Sequence, residues 1–240
     1  MKVVAMIPAR LQATRFPEKL IQDLNGQPVI YRTVENAIQS GLFDEVIVVA
    51  DDEIFKQLLA PLNIQVHITT QPYQCGSDRI ASVADQYMHK DILINIQGDE
   101  PFINTKALKQ VIHSFQDEQV KVASLVHPLD EKLVHQPNFV KVAMNKNLEA
   151  IFFSRAPIPY RNQLSFEYQY FRHIGIYAFR PEMLVAFAQW EIGDLEQMEQ
   201  IEALRFIENG VFIQMAVINE LTIGIDTPED LEKARELLKN

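Results

Sequence analysis

The chain has 240 residues, 48% hydrophobic and 22% charged, a globular profile with enough apolar material for a sizeable core. Its 22 Lys and Arg against 32 Asp and Glu leave a net charge of −10, a surface that repels nucleic-acid backbones and anionic membranes and so argues against both as partners. No apolar run approaches the ~18 residues of a membrane span, the N-terminus enters an apolar stretch without a secretory cleavage pattern, and the only cysteine, Cys75, excludes an intramolecular disulfide, so the cytoplasm is the expected compartment.

Residues 3–7 read as a first strand. Ile30, Val34, Ala37 and Ile38 have helical spacing, with Pro28 near the start and Gly41 as the stop. The run 45–50 (EVIVVA) is a second buried strand, followed by Asp51 and Asp52 as helix caps, and 65–68 is a short third strand. Ile80, Val83, Ala84, Tyr87 and Met88 form the stripe of another helix. The run 92–96 (ILINI) is nearly all apolar, as a parallel strand covered on both faces must be, and 105–115 is helical again. This alternation predicts an α/β fold with an open, mostly parallel sheet and helices on both faces.

Beyond residue 130 the pattern is less regular. Residues 140–144, 150–153 and 174–179 read as strands, 157–170 as a loop, 195–208 as a helix and 211–217 as a strand. A closing helix spans 228–238, with Pro228 in its first turn and Thr227 as cap. There is no repeat, low-complexity tract or linker, so residues 1–240 are expected to form a single domain.

The first strand runs into IPARLQATRFPEK at 7–19, where Arg10, Arg15 and Lys19 stand within ten residues beside one acid, Glu18. In an open α/β sheet the binding crevice lies beyond the carboxyl ends of the strands, so these cations suit a triphosphate, although a solvated basic turn reads the same way. Neither G-x-G-x-x-G nor G-x-x-x-x-G-K-[ST] occurs, which argues against dinucleotide binding and an ATPase loop. CGSDR at 75–79 enters a helix with Ser77 as cap candidate, and Cys75 there reads either as a low-pKa thiol or as a small packing residue. NIQGDEP at 95–101 ends the central strand, where Gly98 admits a close ligand and Asp99 offers a hard oxygen. IGIDTPEDL at 223–231 repeats the arrangement with Asp226, which is a second Mg²⁺ carboxylate or a plain turn residue. FSRAPIP at 153–159 and RHIGIYAFR at 172–180 supply Arg155, His173 and Tyr177, types suited to an acidic polyol; on a strand the last two share a face, and a core role for His173 stands beside that reading.

These motifs, in this order and spanning residues 3–231, resemble the CMP-Kdo synthetases, the 3-deoxy-manno-octulosonate (Kdo) cytidylyltransferases. The resemblance implies a Rossmann-like nucleotidyltransferase fold with a smaller mixed region, about 130–205, for sugar binding and dimerisation. It implies transfer of CMP from CTP to Kdo with release of pyrophosphate, for lipopolysaccharide synthesis, with Mg²⁺ as cofactor and a homodimer as the assembly. It assigns CTP to Ala9, Arg10, Leu11, Arg15, Lys19, Cys75, Gly76, Ser77, Arg79, Gln97, Gly98 and Asp99. It assigns the sugar to Gln97, Arg155, His173, Tyr177 and Glu202, the metal to Asp99 and Asp226, and catalysis to Arg10, Lys19, Asp99 and Asp226. Glu100 is read as supporting, and aromatic positions around 166–171 as dimer contact or core. Three positions depart from the family: Glu18 where glycine is usual, Tyr73 for histidine and Ala203 for glutamine. Glu18 is therefore expected to point outward, and an 8-amino Kdo variant or a sialic acid remains an alternative sugar, as does a non-catalytic nucleotide-binding module.

Overall fold

The computed structural model describes residues 1–12, 16–162, 167–220 and 224–239. Strands β1 (Val3–Ala9), β2 (Glu45–Ala50), β3 (Gln65–Ile68) and β4 (Ile92–Asn95) alternate with helices α1 (Val29–Gln39), α2 (Ile54–Leu59) and α3 (Gly76–Ala81). Helix α4 (Thr105–His113) leads to β5 (Val122–Leu129), the hairpin β6 (Lys141–Met144) and β7 (Ala150–Ser154), and the long β8 (Tyr170–Phe179). Helices α5 (Pro181–Gln189), α6 (Asp194–Glu199) and α7 (Ala203–Glu208), strand β9 (Ile213–Val217) and helix α8 (Pro228–Leu237) complete the order.

The main sheet runs β3-β2-β1-β4-β8-β5-β9, with β6 and β7 attached at the outer end of β8. β8 is antiparallel to both β4 and β5, and every other pairing along that path is parallel. The strand order therefore keeps all but β8 pointing one way. Period-2 alternation divides β1 between two cores: Val3, Ala5, Ile7 and Ala9 face α1, α2, α4 and α8, whereas Val4 and Met6 face α3, α5 and α7. Every residue of β1 and β4 is buried, which is why both read as unbroken apolar runs. Each such Val, Leu or Ile contributes about 1.5–3 kcal/mol relative to exposure.

Several elements differ from the sequence reading, each for a local reason. The stripe through 80–88 is broken: α3 ends at Ala81, a 3-10 turn covers Ala84–Tyr87, and Met88 is 48% exposed. The helix expected over 195–208 is two helices, because Gln200 takes left-handed backbone at φ 55 and ends α6. β5 carries no clean apolar signal, since Ser124, His127 and Pro128 interrupt it, yet its first five residues are buried between β8 and β9. Tyr170, in the aromatic stretch offered for a dimer contact, is buried against Leu129 and Val134. At α8 Thr227 and Asp230 form a reciprocal capping box, as the cap residue predicts. Among the described residues no helix is long and apolar enough to cross a membrane.

Candidate active site

The carboxyl ends of β1 and β4 open onto a cavity of about 150 Å³. β1 delivers Ala9 and the exposed Arg10 to it. The following loop is pinned through its own main-chain groups: Leu11 N donates to the Asp51 side chain, at Oδ1, over 2.9 Å, and Glu18 N donates to the Leu11 carbonyl at 3.1 Å. Asp51 thus braces the loop, while the helix-entry role expected of it falls to Asp52, which accepts from Ile54 N at 2.8 Å. Glu18 is exposed, as expected, with left-handed backbone at φ 56, a conformation that glycine adopts without a Cβ clash. Arg15, assigned to CTP by resemblance, lies outside the described residues.

The opposite wall is the start of α3. The cap is Cys75, not Ser77: its Sγ accepts from Asp78 N at 3.4 Å. Burial, then the carboxylates of Glu202 and Asp78, push the Cys75 thiol up, the reverse of the shift a nucleophile needs, so the packing reading holds. Ser77 is buried behind the wall, donating to Glu202 Oε1 at 2.8 Å and accepting from Asn95 Nδ2 at 3.1 Å. Arg79 donates to the Thr69 carbonyl at 3.3 Å, pairs with Asp51 at 3.7 Å and lies over the Tyr73 ring at 5.1 Å. Gly76 and Gln97 also line this cavity. Gly98 lines it too, but the close approach it permits is to protein: a Cβ there would stand 2.9 Å from the Pro8 carbonyl oxygen.

Two carboxylates from distant parts of the chain meet at Lys19 beside the cavity: Asp99, which lines it, and Asp226. Ile225 N donates to the Asp99 carbonyl at 2.9 Å, which carries Asp226 to Asp99. Lys19 Nζ bonds both side chains, Asp99 closely and Asp226 at 3.2 Å. Beside them Glu100 Oε2 is buried without a hydrogen-bond partner among the described residues. Burial first, then the charges of Asp99 and Asp226, raise the Glu100 carboxyl to about 8.

A second cavity, of about 250 Å³, shares Gln74 and Cys75 with the first and is otherwise walled by α6 and its flanks up to the α7 cap, including Glu196, Gln200 and Glu202. Glu202 is raised in pKa mainly by burial. Tyr177 is buried and His173 packs on it at 5.1 Å between ring centroids, so the pair shares one face as its spacing predicts. The His173 Nε2 lies 2.8 Å from Ser124 Oγ, and burial lowers its pKa to about 3, leaving a neutral ring. Gln97 reaches across to the Gly175 carbonyl at 3.4 Å. Arg155 is differently placed from a free carboxylate clamp: it donates to the carbonyls of Glu199 at 2.8 Å, Pro137 at 3.0 Å and Gln200 at 3.1 Å, engaging three of its five N–H groups. Ala203, a departure from the family, is fully buried.

A family model described as cytidylyltransferase matches residues 4–223. The chain belongs to the cytidylyltransferase family. It is 46% identical to a 3-deoxy-manno-octulosonate cytidylyltransferase of Christiangramia forsetii, over 99% of this chain and 97% of that protein. It is 41% identical to the protein of the same description in Flavobacterium johnsoniae, with both covered in full. A CMP:2-keto-3-deoxy-manno-octonic acid synthetase solved in complex with CTP superposes with a TM-score of 0.93 at 34% identity, covering 100% of this chain and 99% of that one. In this cytidylyltransferase Ala9, Arg10, Lys19, Cys75 and Gly76 line the first cavity, as do Arg79, Gln97, Gly98 and Asp99. Ser77 and Leu11 do not line it: Ser77 bonds Glu202 and the Leu11 N–H bonds Asp51. The sequence reading missed Gln74, which lines both cavities and carries no motif of its own, and the bracing role of Asp51, whose position just after β2 was a usable signal.

Proposed function

We propose that this cytidylyltransferase couples CTP to Kdo, giving CMP-Kdo and pyrophosphate. The observation that carries the reading is the convergence of Arg10, Lys19, Asp99 and Asp226 at the strand ends, with a polar second cavity sharing a wall. CTP occupies the first cavity, its triphosphate beside Arg10 and Lys19, and the sugar lies on the Gln97, Tyr177 and Glu202 side. The anomeric 2-hydroxyl attacks the α-phosphorus and pyrophosphate leaves in line. The protein's share is positioning and charge stabilisation. Neutral His173 and Tyr177 serve as hydrogen-bonding groups, and the sugar's carboxylate does not draw on a charged imidazole.

The site fits Mg²⁺. Two carboxylates already hold one cation between them, the ammonium of Lys19, and alongside them Glu100 has a buried oxygen with no partner among the described residues. Among the described residues no three acidic, His or Cys side chains form a ligand cluster, and Mg²⁺ needs only one or two carboxylates when phosphate oxygens and water complete its shell. Asp99 and Asp226 would hold it; bound there, it neutralises phosphate charge and acidifies a bound hydroxyl. Lys19, released from the pair, then serves the triphosphate.

The homodimer belongs to the same reading. Its support is an apolar patch in the second half: Ile151 of β7 is 57% exposed and Phe212, just before β9, is 68% exposed, beside the Glu149–Gln214 bridge. We place the enzyme in the cytoplasm, where CTP is made. The deciding assay is pyrophosphate release from CTP, Mg²⁺ and Kdo, 8-amino Kdo or N-acetylneuraminate in parallel. Release is expected with Kdo; release with none sinks the enzyme reading, and release with neuraminate alone moves it to another sugar.

A further inference from the structure

Behind the wall shared by the two cavities lies a buried charge cluster that the chemistry above does not use. Arg205, on α7, is only 2% exposed. It grips Glu196 of α6 with Nε and Nη2, both at 2.7 Å, and donates to Asp78 of α3 from Nη1 at 2.7 Å. Its guanidinium lies 3.9 Å from the Phe187 ring centroid and donates to the Phe187 carbonyl. One turn earlier Glu202 takes the hydroxyl of Ser77, the neighbour of Asp78. Arg205 of α7 and its cap residue Glu202 therefore clamp two consecutive residues of α3.

We infer that Arg205 is a positioning residue: it fixes the α6–α7 wall of the second cavity against the α3 wall of the nucleotide cavity, so that the two substrates are held at a set separation. The inference rests on the reading that the sugar lies beside Glu202. The two walls are unequally anchored. α3 packs on β1, β2, β4 and α5, in the middle of the sheet, whereas the closest neighbours of α7 are α6 and β7. Loosening the clamp therefore moves α6–α7 and leaves α3 in place. A planar fork with five donors serves two carboxylates at once in a way that a lysine cannot. The sole tryptophan, Trp190, lies edge-on to Phe206 at 5.8 Å, next to Arg205, and reports on that movement.

The test uses the full-length enzyme with Asp78→Asn, which keeps the Arg205–Glu196 grip and so leaves no buried charge without a partner, and with Arg205→Lys as the harsher change. Steady-state pyrophosphate release gives both KM values, and isothermal titration gives both affinities where turnover is too low. In Asp78→Asn the sugar KM is expected to rise roughly tenfold or more, since small misplacements are costly in a bisubstrate site. The CTP KM is expected to stay near the parent's, and Trp190 emission to shift in the free enzyme. Arg205→Lys should show the same split, larger. A folded Asp78→Asn with parental KM values and emission, even at a lower Tm, overturns the proposal and leaves Arg205 a plain structural residue. A parallel rise in the CTP KM also overturns it. A parent enzyme that releases no pyrophosphate with any acidic sugar condemns the functional reading instead, and the Trp190 shift still reports on the clamp.

Discussion

The two cavities that meet at Gln74 and Cys75 are built by opposite means. On the nucleotide side the wall is main chain at the ends of parallel strands: the Leu11 and Ile225 N–H groups fix the loops, and Gly98 lies against the Pro8 carbonyl. On the other side the wall is short helices tied by side chains: Arg205 to Asp78 and Glu196, Ser77 to Glu202, and Arg155 to three carbonyls. A backbone wall fails when a side chain is too large. A side-chain wall fails when a buried charge loses its partner or gains a proton.

The sharpest challenge is at the place where the first region recruits the far end of the chain. Asp226→Asn removes one carboxylate but keeps the main-chain bond from Ile225 to Asp99, and the side chain is half exposed at 51%. Folding is therefore expected to survive. Turnover is expected to fall by about two orders of magnitude or more, since metal-borne charge stabilisation is worth several kcal/mol. A near-parental pyrophosphate rate, with an unchanged melting curve, removes Asp226 from the metal site. Next in size is Gly98→Ala. The added Cβ would stand 2.9 Å from a backbone oxygen that cannot swing aside, so destabilisation of about 1–3 kcal/mol is expected. Thermal melting reads this as a drop of roughly 2–4 °C per kcal/mol. An unchanged Tm would mean that the strand ends give way, and the backbone-built description of this wall would be wrong.

The same contrast explains what was legible in the sequence. β1 and β4 are covered on both faces and so announce themselves as apolar runs; the loops behind them carry the family's motifs at fixed spacing. Thr227 signals its helix by local chemistry alone. The second region is different. Arg205 and Asp78 are 127 residues apart and Ser77 and Glu202 are 125 apart, and no local pattern marks either pair. β5 owes its burial to β8 and β9, one of them contributed some ninety residues later, so its own sequence of Ser, His and Pro hides it. Arg155 reads by type as a cation for an acidic sugar, and only tertiary structure shows three carbonyls already in its reach.

A milder test of the side-chain-built region uses pH. Burial holds His173 at about 3, below the 6.5 of an unfolded chain, so the folded state resists a proton that the unfolded state takes up. That contribution is fully present above pH 6.5 and is lost as pH falls toward 3. His173→Gln is expected to flatten the fall of Tm between about pH 6.5 and 4, by less than the whole slope because burial lowers His67 in the same direction. An undiminished slope would mean that His173 is already wet enough to charge in the native state, and that its contact with Ser124 is not the neutral one drawn here.

The smallest effect returns to the nucleotide side, at Glu18→Gly. Two terms oppose each other. Relief of the left-handed backbone at φ 56 favours glycine by about 1–2 kcal/mol, while the freer unfolded chain costs about 0.4–1 kcal/mol. Stability should therefore rise by between about zero and about 1.6 kcal/mol. The exposed carboxylate sits next to Lys19, so its removal also lowers the CTP KM, by less than about fivefold because solvent screens exposed charges. Both changes should appear together, in melting curves and in CTP titrations of the rate at low ionic strength, and the KM change should shrink as salt is added. A fall in Tm with an unchanged KM would show that Glu18 braces the loop through its side chain, and this stretch of the nucleotide wall would then belong with the side-chain-built kind.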